Sequence, residues 1–230
     1  MATRRSVKLQ KITDAKGAAD ASAFCPPSAK SNFDEGAFQL GLKDYAAARH
    51  KLGLALQEDP KNAKAHYYLG YCECMLGNTA ASCNCFNRAI ELGFDDPKVH
   101  SNLGLSFLLT GNCLGAVDEF SRAINRGTDN IPLALISRGF AYARLAWPYS
   151  TRYLKSGKKK DPQDSFYSNF YGRMAHEDVQ RLRAIKSFLS PEMQNRANKL
   201  STLVSYSVAG ADSKKAEHAR ALEAKRISRL

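Results

Sequence analysis

The chain has 230 residues, of which 44% are hydrophobic and 10% are aromatic. These fractions are typical of a globular protein and argue against an intrinsically disordered chain. The formal net charge of +12 either attracts an acidic partner, such as nucleic acid or an acidic protein surface, or serves only solubility. No apolar stretch approaches the roughly 18 residues that predict a membrane span, so we expect no membrane partner.

Residues 1–28 form a predicted basic arm. The chain begins Met-Ala-Thr-Arg-Arg-Ser, and no acidic residue precedes Asp14. This pattern resembles a mitochondrial presequence. We prefer a cytoplasmic or cytoskeletal location, in a cilium or flagellum, and keep the mitochondrion as the alternative.

Residues 29–146 carry a repeat with a period of 34 residues. Gly36, Gly70 and Gly104 are separated by 34 residues each, and Gly139 follows 35 residues later. Four further columns repeat at the same offset, namely Ala48, Ser82 and Ala116; Leu52, Phe86 and Phe120; Ala55, Ala89 and Ala123; and Leu56, Ile90 and Ile124. This period predicts stacked helix–turn–helix units, because one such unit cannot bury its apolar face alone.

Two units resemble the tetratricopeptide repeat family. The residues that carry the resemblance are Leu69-Gly70, Leu76-Gly77-Asn78, Phe86 and Ala89-Ile90 in one unit, and Leu103-Gly104, Gly111-Asn112, Ala116, Phe120 and Ala123-Ile124 in the next. The resemblance, which covers about residues 29–146, implies an all-α fold, a right-handed solenoid of antiparallel helix pairs with three full repeats and a partial fourth. Since terminal units of such a solenoid need caps, we expect capping helices on its C-terminal side. The fourth unit departs from the pattern, because Lys155, Lys158 and Lys159 stand where its second helix needs apolar residues.

Glycines mark predicted contacts and ends of the helices. Gly70 and Gly104 lie among helix formers, where glycine costs about 0.5–1 kcal/mol relative to alanine. We interpret them as points where two helices approach too closely for a side chain. Gly77 and Gly111, each followed by asparagine, are predicted helix stops in the left-handed conformation.

Four of the six cysteines lie on one predicted helical hairpin, as two pairs spaced C-x-C: Cys72 with Cys74, and Cys83 with Cys85. Residues two apart on a helix point about 200° apart, so these thiolates cannot converge on a tetrahedral zinc ion. We predict reduced cysteines and no metal site. Since motifs of phosphate-binding loops, zinc proteases and serine hydrolases are also missing from the sequence, we predict no cofactor and no enzymatic activity.

The family resemblance implies that the first helix of each pair lines a concave binding groove. The positions of this chain that match are Tyr67, Tyr68, Tyr71, Cys74, Leu105, Leu108, Leu109, Ile136 and Phe140. Such an apolar groove suits an amphipathic helix or an extended hydrophobic peptide, although the chain's own C-terminal helices are an alternative occupant. Relatives that grip acidic chaperone tails use a carboxylate clamp; the matching positions here are Phe33, Ala37, Tyr68, Lys98 and Asn102, and the single basic residue excludes that clamp.

The C-terminal third divides into a linker, capping helices and a tail. Residues 147–165 contain Trp147-Pro148, Gly157 and a lysine run, and predict an exposed basic loop. Residues 166–208 predict capping helices, with helices at 175–189 and 191–208. Residues 209–230 predict a weakly amphipathic basic helix that lies along a partner.

Aromatic residues follow the lysine run, at Phe166, Tyr167, Phe170 and Tyr171. Aromatic side chains beside basic residues can stack on single-stranded bases. Their four-residue spacing is also that of a helix packing against a core, and we favour packing.

Basic residues are concentrated at the two ends of the chain. The net charge is +4 for residues 1–30, −1 for residues 31–145 and +9 for residues 146–230. The ends are therefore predicted to contact an acidic partner. The residues concerned are Arg4, Arg5, Lys155, Lys158, Lys159, Lys160, Lys214, Lys215, Lys225, Arg226 and Arg229.

These features together predict a non-enzymatic scaffold in a large eukaryotic assembly, with other protein subunits on the array and an acidic surface at the basic ends. The leading hypothesis is a ciliary or flagellar microtubule complex, with tubulin as the acidic partner. The alternatives are a mitochondrial ribosome or other ribonucleoprotein, in which the ends contact RNA, and a free cytosolic peptide-binding adaptor.

Overall fold

A computed structural model of the protein describes residues 31–156 and 162–208. The predicted N-terminal arm and C-terminal tail lie outside these ranges. All regular structure of the described residues is helical, which confirms the predicted all-α fold. The helices are α1 (Asn32–Gly41), α2 (Tyr45–Glu58), α3 (Ala63–Met75), α4 (Thr79–Glu91), α5 (Pro97–Thr110), α6 (Cys113–Asn125), α7 (Ile131–Ser156), α8 (Pro162–Ala184) and α9 (Pro191–Val208), with a 3-10 turn at Lys186–Phe188.

The chain divides into two compact units. Of the described residues, the first unit comprises 31–112 and a short segment at 125–128, and the second comprises 113–124, 129–156 and 162–208. Helices α1 to α5 thus belong to the first unit, whereas α6, except for its last residue, and α7 to α9 belong to the second. The predicted array, residues 29–146, contributes helices to both.

The first unit is built of helices that pack on their neighbours in the sequence. Helices α1 to α5 pack consecutively, and α1 also contacts α3, as α3 contacts α5. Asp44 and Asn62 begin α2 and α3, each accepting a backbone N–H bond of 3.0 Å from the residue three positions later. Gly77 and Gly111, with φ of +86° and +89°, end α3 and α5 as predicted.

Close approach of paired helices recurs in register with the repeat. A Cβ atom added to Gly70 would lie 2.8 Å from Cδ1 of Phe86, and one added to Gly36 would lie 2.7 Å from Cγ of Leu52. Phe86 and Leu52 occupy equivalent positions of successive units. The interpretation of Gly70 as a helix contact point is confirmed.

The second unit has a core formed by α7, α8 and α9. Its buried residues are Leu135, Ile136, Ala175, Val179, Leu182, Leu189, Leu200 and Val204. A Cβ atom added to Gly139 would lie 2.5 Å from Cδ2 of Leu200. Helix α9 therefore packs beside this glycine, whereas Gly36 and Gly70 face the second helix of their own pair.

Helix α7 continues well beyond the predicted start of a loop at 147. It runs to Ser156 with Pro148 inside it, and α8 begins at Pro162. Proline removes one helical hydrogen bond and can cost about 3 kcal/mol. Contacts with α8 offset that cost: the Tyr149 ring lies 5.0 Å from that of Tyr167 and 6.4 Å from that of Tyr171. The helix predicted at 175–189 is correspondingly the second half of α8 followed by the 3-10 turn, whereas that at 191–208 coincides with α9.

Candidate protein-binding surface

Helices α1 and α3 together present an aromatic surface with a basic edge. The rings of Phe33 and Tyr68 stack with centroids 5.7 Å apart and planes 12° apart. The Lys64 ammonium lies 5.8 Å from the centroid of the Tyr68 ring. Both aromatic residues are half-buried. The arrangement offers a flat apolar area beside a positive charge.

Tyr67, a predicted groove residue, belongs mainly to the core of the first unit. It is 8% exposed, and its ring lies 5.9 Å from that of Phe86 and 5.2 Å from that of Phe94. Its hydroxyl accepts a 3.3 Å hydrogen bond from Asn102 Nδ2. Burial raises the pKa of the Tyr67 hydroxyl well above its ordinary value. Tyr67 therefore links α3 to α5 and leaves little area for a partner.

The other predicted groove positions of the first unit differ in exposure. Cys74 and Leu105 are buried, whereas Tyr71 and Leu108 are half-buried and Leu109 is exposed. Tyr68, Tyr71, Leu108 and Leu109 thus retain area for a partner. Sequence reasoning placed Phe33 and Asn102 at clamp positions of first helices but did not count them as apolar groove residues, and it missed Lys64, although the four-residue spacing of Lys64 from Tyr68 was a usable signal.

The predicted groove positions of the second unit lie beneath the C-terminal helices. Ile136 belongs to the buried core, and Phe140 packs against that core. Their neighbours there come from α8 and α9, for example Val179 and Leu200. Within this unit, the chain's own helices occupy the apolar side of α7.

A buried ion pair joins α7 to α8. Arg138 donates to the two carboxylate oxygens of Asp178, at 3.0 Å from Nε and 2.6 Å from Nη2, and to Ser121 Oγ at 2.9 Å. The Asp178 side chain is 1% exposed. Burial raises the pKa of the Asp178 carboxyl, and the hydrogen bonds and charge of Arg138 oppose that shift. The hydrogen bonds of Arg138 therefore hold α7 against α8, through Asp178, and against α6, through Ser121.

The described cysteines are all free thiols, namely Cys72, Cys74, Cys83, Cys85 and Cys113. Burial raises the pKa of each, to about 12 for Cys72 and about 11 for Cys85. No group of three metal-ligating side chains that could hold an ion occurs among the residues that the structure describes. The thiols of this hairpin are packing groups rather than nucleophiles.

We expect Cys85 to react slowly with iodoacetamide although it is only half-buried. At pH 8 an ordinary cysteine with a pKa near 8.5 is about one-quarter thiolate, whereas a pKa of about 11 leaves roughly one thiol in a thousand ionised. Alkylation of the native protein should therefore be at least 100-fold slower than in urea, as read by tandem mass spectrometry. Equal alkylation rates in the native and urea-unfolded states would contradict a raised pKa for Cys85 in the folded protein.

His66 and His100 lie 34 residues apart, at equivalent positions of successive units, but have different partners. His66 Nε2 lies 3.1 Å from the carbonyl oxygen of Pro60, whereas His100 Nε2 lies 2.5 Å from a carboxylate oxygen of Asp95. Arg126 contacts the other oxygen of Asp95 at 2.7 Å. The hydrogen bonds from His100 and Arg126 lower the pKa of the Asp95 carboxyl. His100 of α5 and Arg126, which follows α6, thus contact the same carboxylate, that of Asp95, and all three residues lie in the first unit.

The residues predicted to bind an acidic partner fall outside the described side chains, at both ends of the chain and around the lysine run. They remain predictions. Among the helices that the structure describes, none combines the length and apolarity that crossing a bilayer requires.

A search of curated proteins gives no match. The crystal structure of MamA matches with 15% identity and a TM-score of 0.44, over 75% of this chain and 93% of that one. That of YrrB, described as a TPR protein with an unusual peptide-binding site, matches with 16% identity and a TM-score of 0.48, over 75% and 88%. The family model described as tetratricopeptide repeat matches residues 39–103. Residues 39–103 thus match the tetratricopeptide repeat family, which confirms the resemblance found in the sequence.

Proposed function

We propose that the chain is a non-enzymatic scaffold that binds another protein on the face formed by α1, α3 and α5. Tetratricopeptide repeats are protein-interaction modules, so a protein partner is the general expectation for residues 39–103. The observation that carries the proposal is the stack of Phe33 on Tyr68 with Lys64 beside it. Aromatic residues of this kind are enriched at the energetic centres of protein interfaces.

The chemistry of this face suits a peptide with both apolar and acidic side chains. Tyr68 and Leu109 supply apolar area, while Lys64 supplies positive charge. The acidic side chains of α1 and α3 have other partners: Asp34 accepts from Ser31 at 2.7 Å, Glu35 pairs with Lys51 at 2.8 Å, and Glu73 accepts from Asn78 at 2.7 Å. An amphipathic helix with acidic residues beside its apolar stripe fits such a face.

For the setting, our finer hypothesis is a subunit of a ciliary or flagellar microtubule complex. Its support is the excess of basic residues at both ends, +4 and +9, which suits the acidic surface of tubulin. A mitochondrial ribosome or other ribonucleoprotein is the second candidate, supported by exposed aromatic rings at the start of α8. The third candidate is a free cytosolic adaptor, which would bind its partner through the α1, α3 and α5 face alone.

We expect Tyr68→Ala to remove a particular protein neighbour. Truncation of a central interface aromatic typically weakens binding by about 2 kcal/mol or more, roughly 30-fold. The measurement is cross-linking mass spectrometry and quantitative co-purification of the tagged full chain from cells. Leu114→Ala, which alters an exposed residue of α6 in the other unit, is the matched control. If Tyr68→Ala keeps every neighbour that the control keeps, this face is not the interface.

The acidic partner is tested separately, by sedimentation with microtubules and by binding to RNA. We expect replacement of Lys158, Lys159 and Lys160 with alanine to weaken whichever binding occurs, and to reduce its dependence on salt, because exposed charges are screened within about 10 Å at 0.1 M ionic strength. Binding that is unchanged by these replacements would contradict the role of this lysine run as an electrostatic anchor.

A further inference from the structure

The groove between the end of α8 and the first half of α9 contains a small apolar cavity. Its volume is about 30 Å³, and Val179, Leu182 and Leu189, which belong to the buried core of the second unit, form its floor. Ala197 of α9 is half-buried and lines its side. An opening of this size admits one or two water molecules or the end of one aliphatic side chain.

Basic and amide side chains surround this cavity. Arg183 and Lys186 line it from α8 and the 3-10 turn, and Gln194, Asn198 and Ser201 line it from α9. The described residues that line it include no acidic side chain. Arg183 Nη2 donates to Ser201 Oγ at 3.0 Å, a bond that places the guanidinium across the groove and uses one of its five N–H donors. The rim of the cavity is therefore positively charged.

The 3-10 turn at Lys186–Phe188 carries an exposed phenylalanine beside the cavity. Phe188 is 88% exposed, the highest fraction among the large apolar side chains that the structure describes, and it directly precedes Leu189 of the cavity floor. The Gln194 side chain donates to the carbonyl oxygens of Lys186, at 3.2 Å, and Leu189, at 3.0 Å. These two bonds hold the turn against α9, so the ring, the cavity and the two cations share one end of the α8 and α9 pair.

We propose that this groove binds an acidic segment of a partner protein. The segment inserts one aliphatic side chain into the cavity, packs against Phe188 and pairs its carboxylates with Arg183 and Lys186. A guanidinium binds a carboxylate through two parallel hydrogen bonds, and an aromatic residue at a pocket is a typical energetic centre of an interface.

Other occupants fit the groove less well. The chain's own segments outside the described residues have the same sign of charge as the rim: residues 1–30 carry +4, and residues 209–230 contain six basic and three acidic residues, a net charge of +3. Nucleic acid would satisfy the two cations but has no aliphatic side chain for the cavity. The groove shares no residue with the α1, α3 and α5 face, so the proposal does not rest on the function proposed for that face.

The ligand for the test is selected by phage display of random twelve-residue peptides on the full chain carrying Tyr68→Ala, so that the α1, α3 and α5 face contributes little. We expect the enriched peptides to combine two or more acidic residues with leucine, isoleucine or valine. One of them, synthesised with a fluorescein label, is then titrated with this chain and its further variants, and fluorescence anisotropy gives the affinity. A selection that enriches no acidic peptide would contradict the proposal.

Arg183→Glu/Lys186→Glu should weaken binding of the peptide about tenfold or more, because each reversal turns an attraction into a repulsion and one surface ion pair contributes up to about fivefold. Ala197→Leu fills the cavity without a change of charge and should weaken binding by a similar factor. Arg181→Glu/Lys199→Glu is the matched control, since it makes the same change of charge at exposed residues of α8 and α9 that do not line the cavity. The control should bind within about twofold of the parent.

Phe188→Ala tests the apolar part of the site at a residue outside the core, and it should weaken binding at least about threefold with an unchanged circular dichroism spectrum. Equal losses in the two charge-reversal variants would show that the peptide responds to net charge alone and would overturn the proposal. Full affinity of both Ala197→Leu and Phe188→Ala would also overturn it. If a polyuridine strand displaces the peptide while these two variants bind as the parent does, the cations bind phosphate and the groove is not a peptide site.

Discussion

Gly70→Leu should destabilise the first unit by about 3 kcal/mol or more. Even a Cβ atom at this position would lie 2.8 Å from Phe86, whose side chain is fully buried, and leucine adds three further carbon atoms. The ring cannot move aside without disturbing the core cluster that it shares with Tyr67 and Leu103. Overpacking of this kind typically costs about 1–3 kcal/mol and occasionally more. Urea unfolding followed by circular dichroism measures the change.

Gly53 provides the matched control, because it lies inside α2 and a Cβ atom added there would have no neighbour within 4 Å. Gly53→Ala should stabilise the unit by about 0.5–1 kcal/mol, the ordinary gain from replacing a helical glycine. If Gly70→Leu unfolds at the same urea concentration as the parent, Gly70 is not a helix contact point. The contrast between these glycines separates close packing from helix propensity.

The repeat made much of the first unit predictable. A glycine and a large apolar residue sixteen positions later, as in Gly70 and Phe86, recur with the period and identify the paired helices. The period does not say which way each side chain of a first helix points. Tyr67 and Tyr68 are adjacent and chemically alike, yet one is buried against Phe94 while the other stacks on Phe33. Only the packed neighbours distinguish them.

The second unit was less predictable, because tertiary contacts override its local signals. Pro148 and the nearby lysines indicate a loop, but aromatic contacts such as Tyr149 with Tyr167 sustain the helix. The partner of Gly139 is also remote in sequence: it is Leu200 of α9 rather than a residue sixteen positions later. When a residue of a distant helix takes the place of the partner within the repeat, the sequence shows no periodic signal for the contact. The aromatic residues at the start of α8 were visible as a motif, whereas the exposure of Phe166 and Phe170 could not be read from their spacing.

Arg138→Met should destabilise the second unit by about 3–5 kcal/mol at neutral pH. It removes both hydrogen bonds to Asp178 and leaves a carboxylate buried without its partner, and breaking a buried ion pair in this way typically costs that much. The pair itself need not be strongly stabilising, since desolvation of two charges cancels most of their attraction. Replacing both residues, as Arg138→Met/Asp178→Leu, should therefore recover most of the loss, although Ser121 still lacks the bond that Arg138 donates.

The pH dependence of Arg138→Met gives an independent check. Burial already raises the pKa of Asp178, and loss of the guanidinium removes the group that opposes this shift. Between the ordinary pKa near 3.9 of the unfolded chain and the raised pKa of the folded variant, the folded variant binds a proton that the unfolded chain has already released. Because the folded state holds more protons between these two pKa values, its stability falls as the pH rises through that window. The variant should thus lose less stability relative to the parent at pH 4 than at pH 7, as measured by urea unfolding at both values. A loss that is equal at both pH values, or a double variant no more stable than the single one, would show that Asp178 is not an unpaired buried charge once Arg138 is removed.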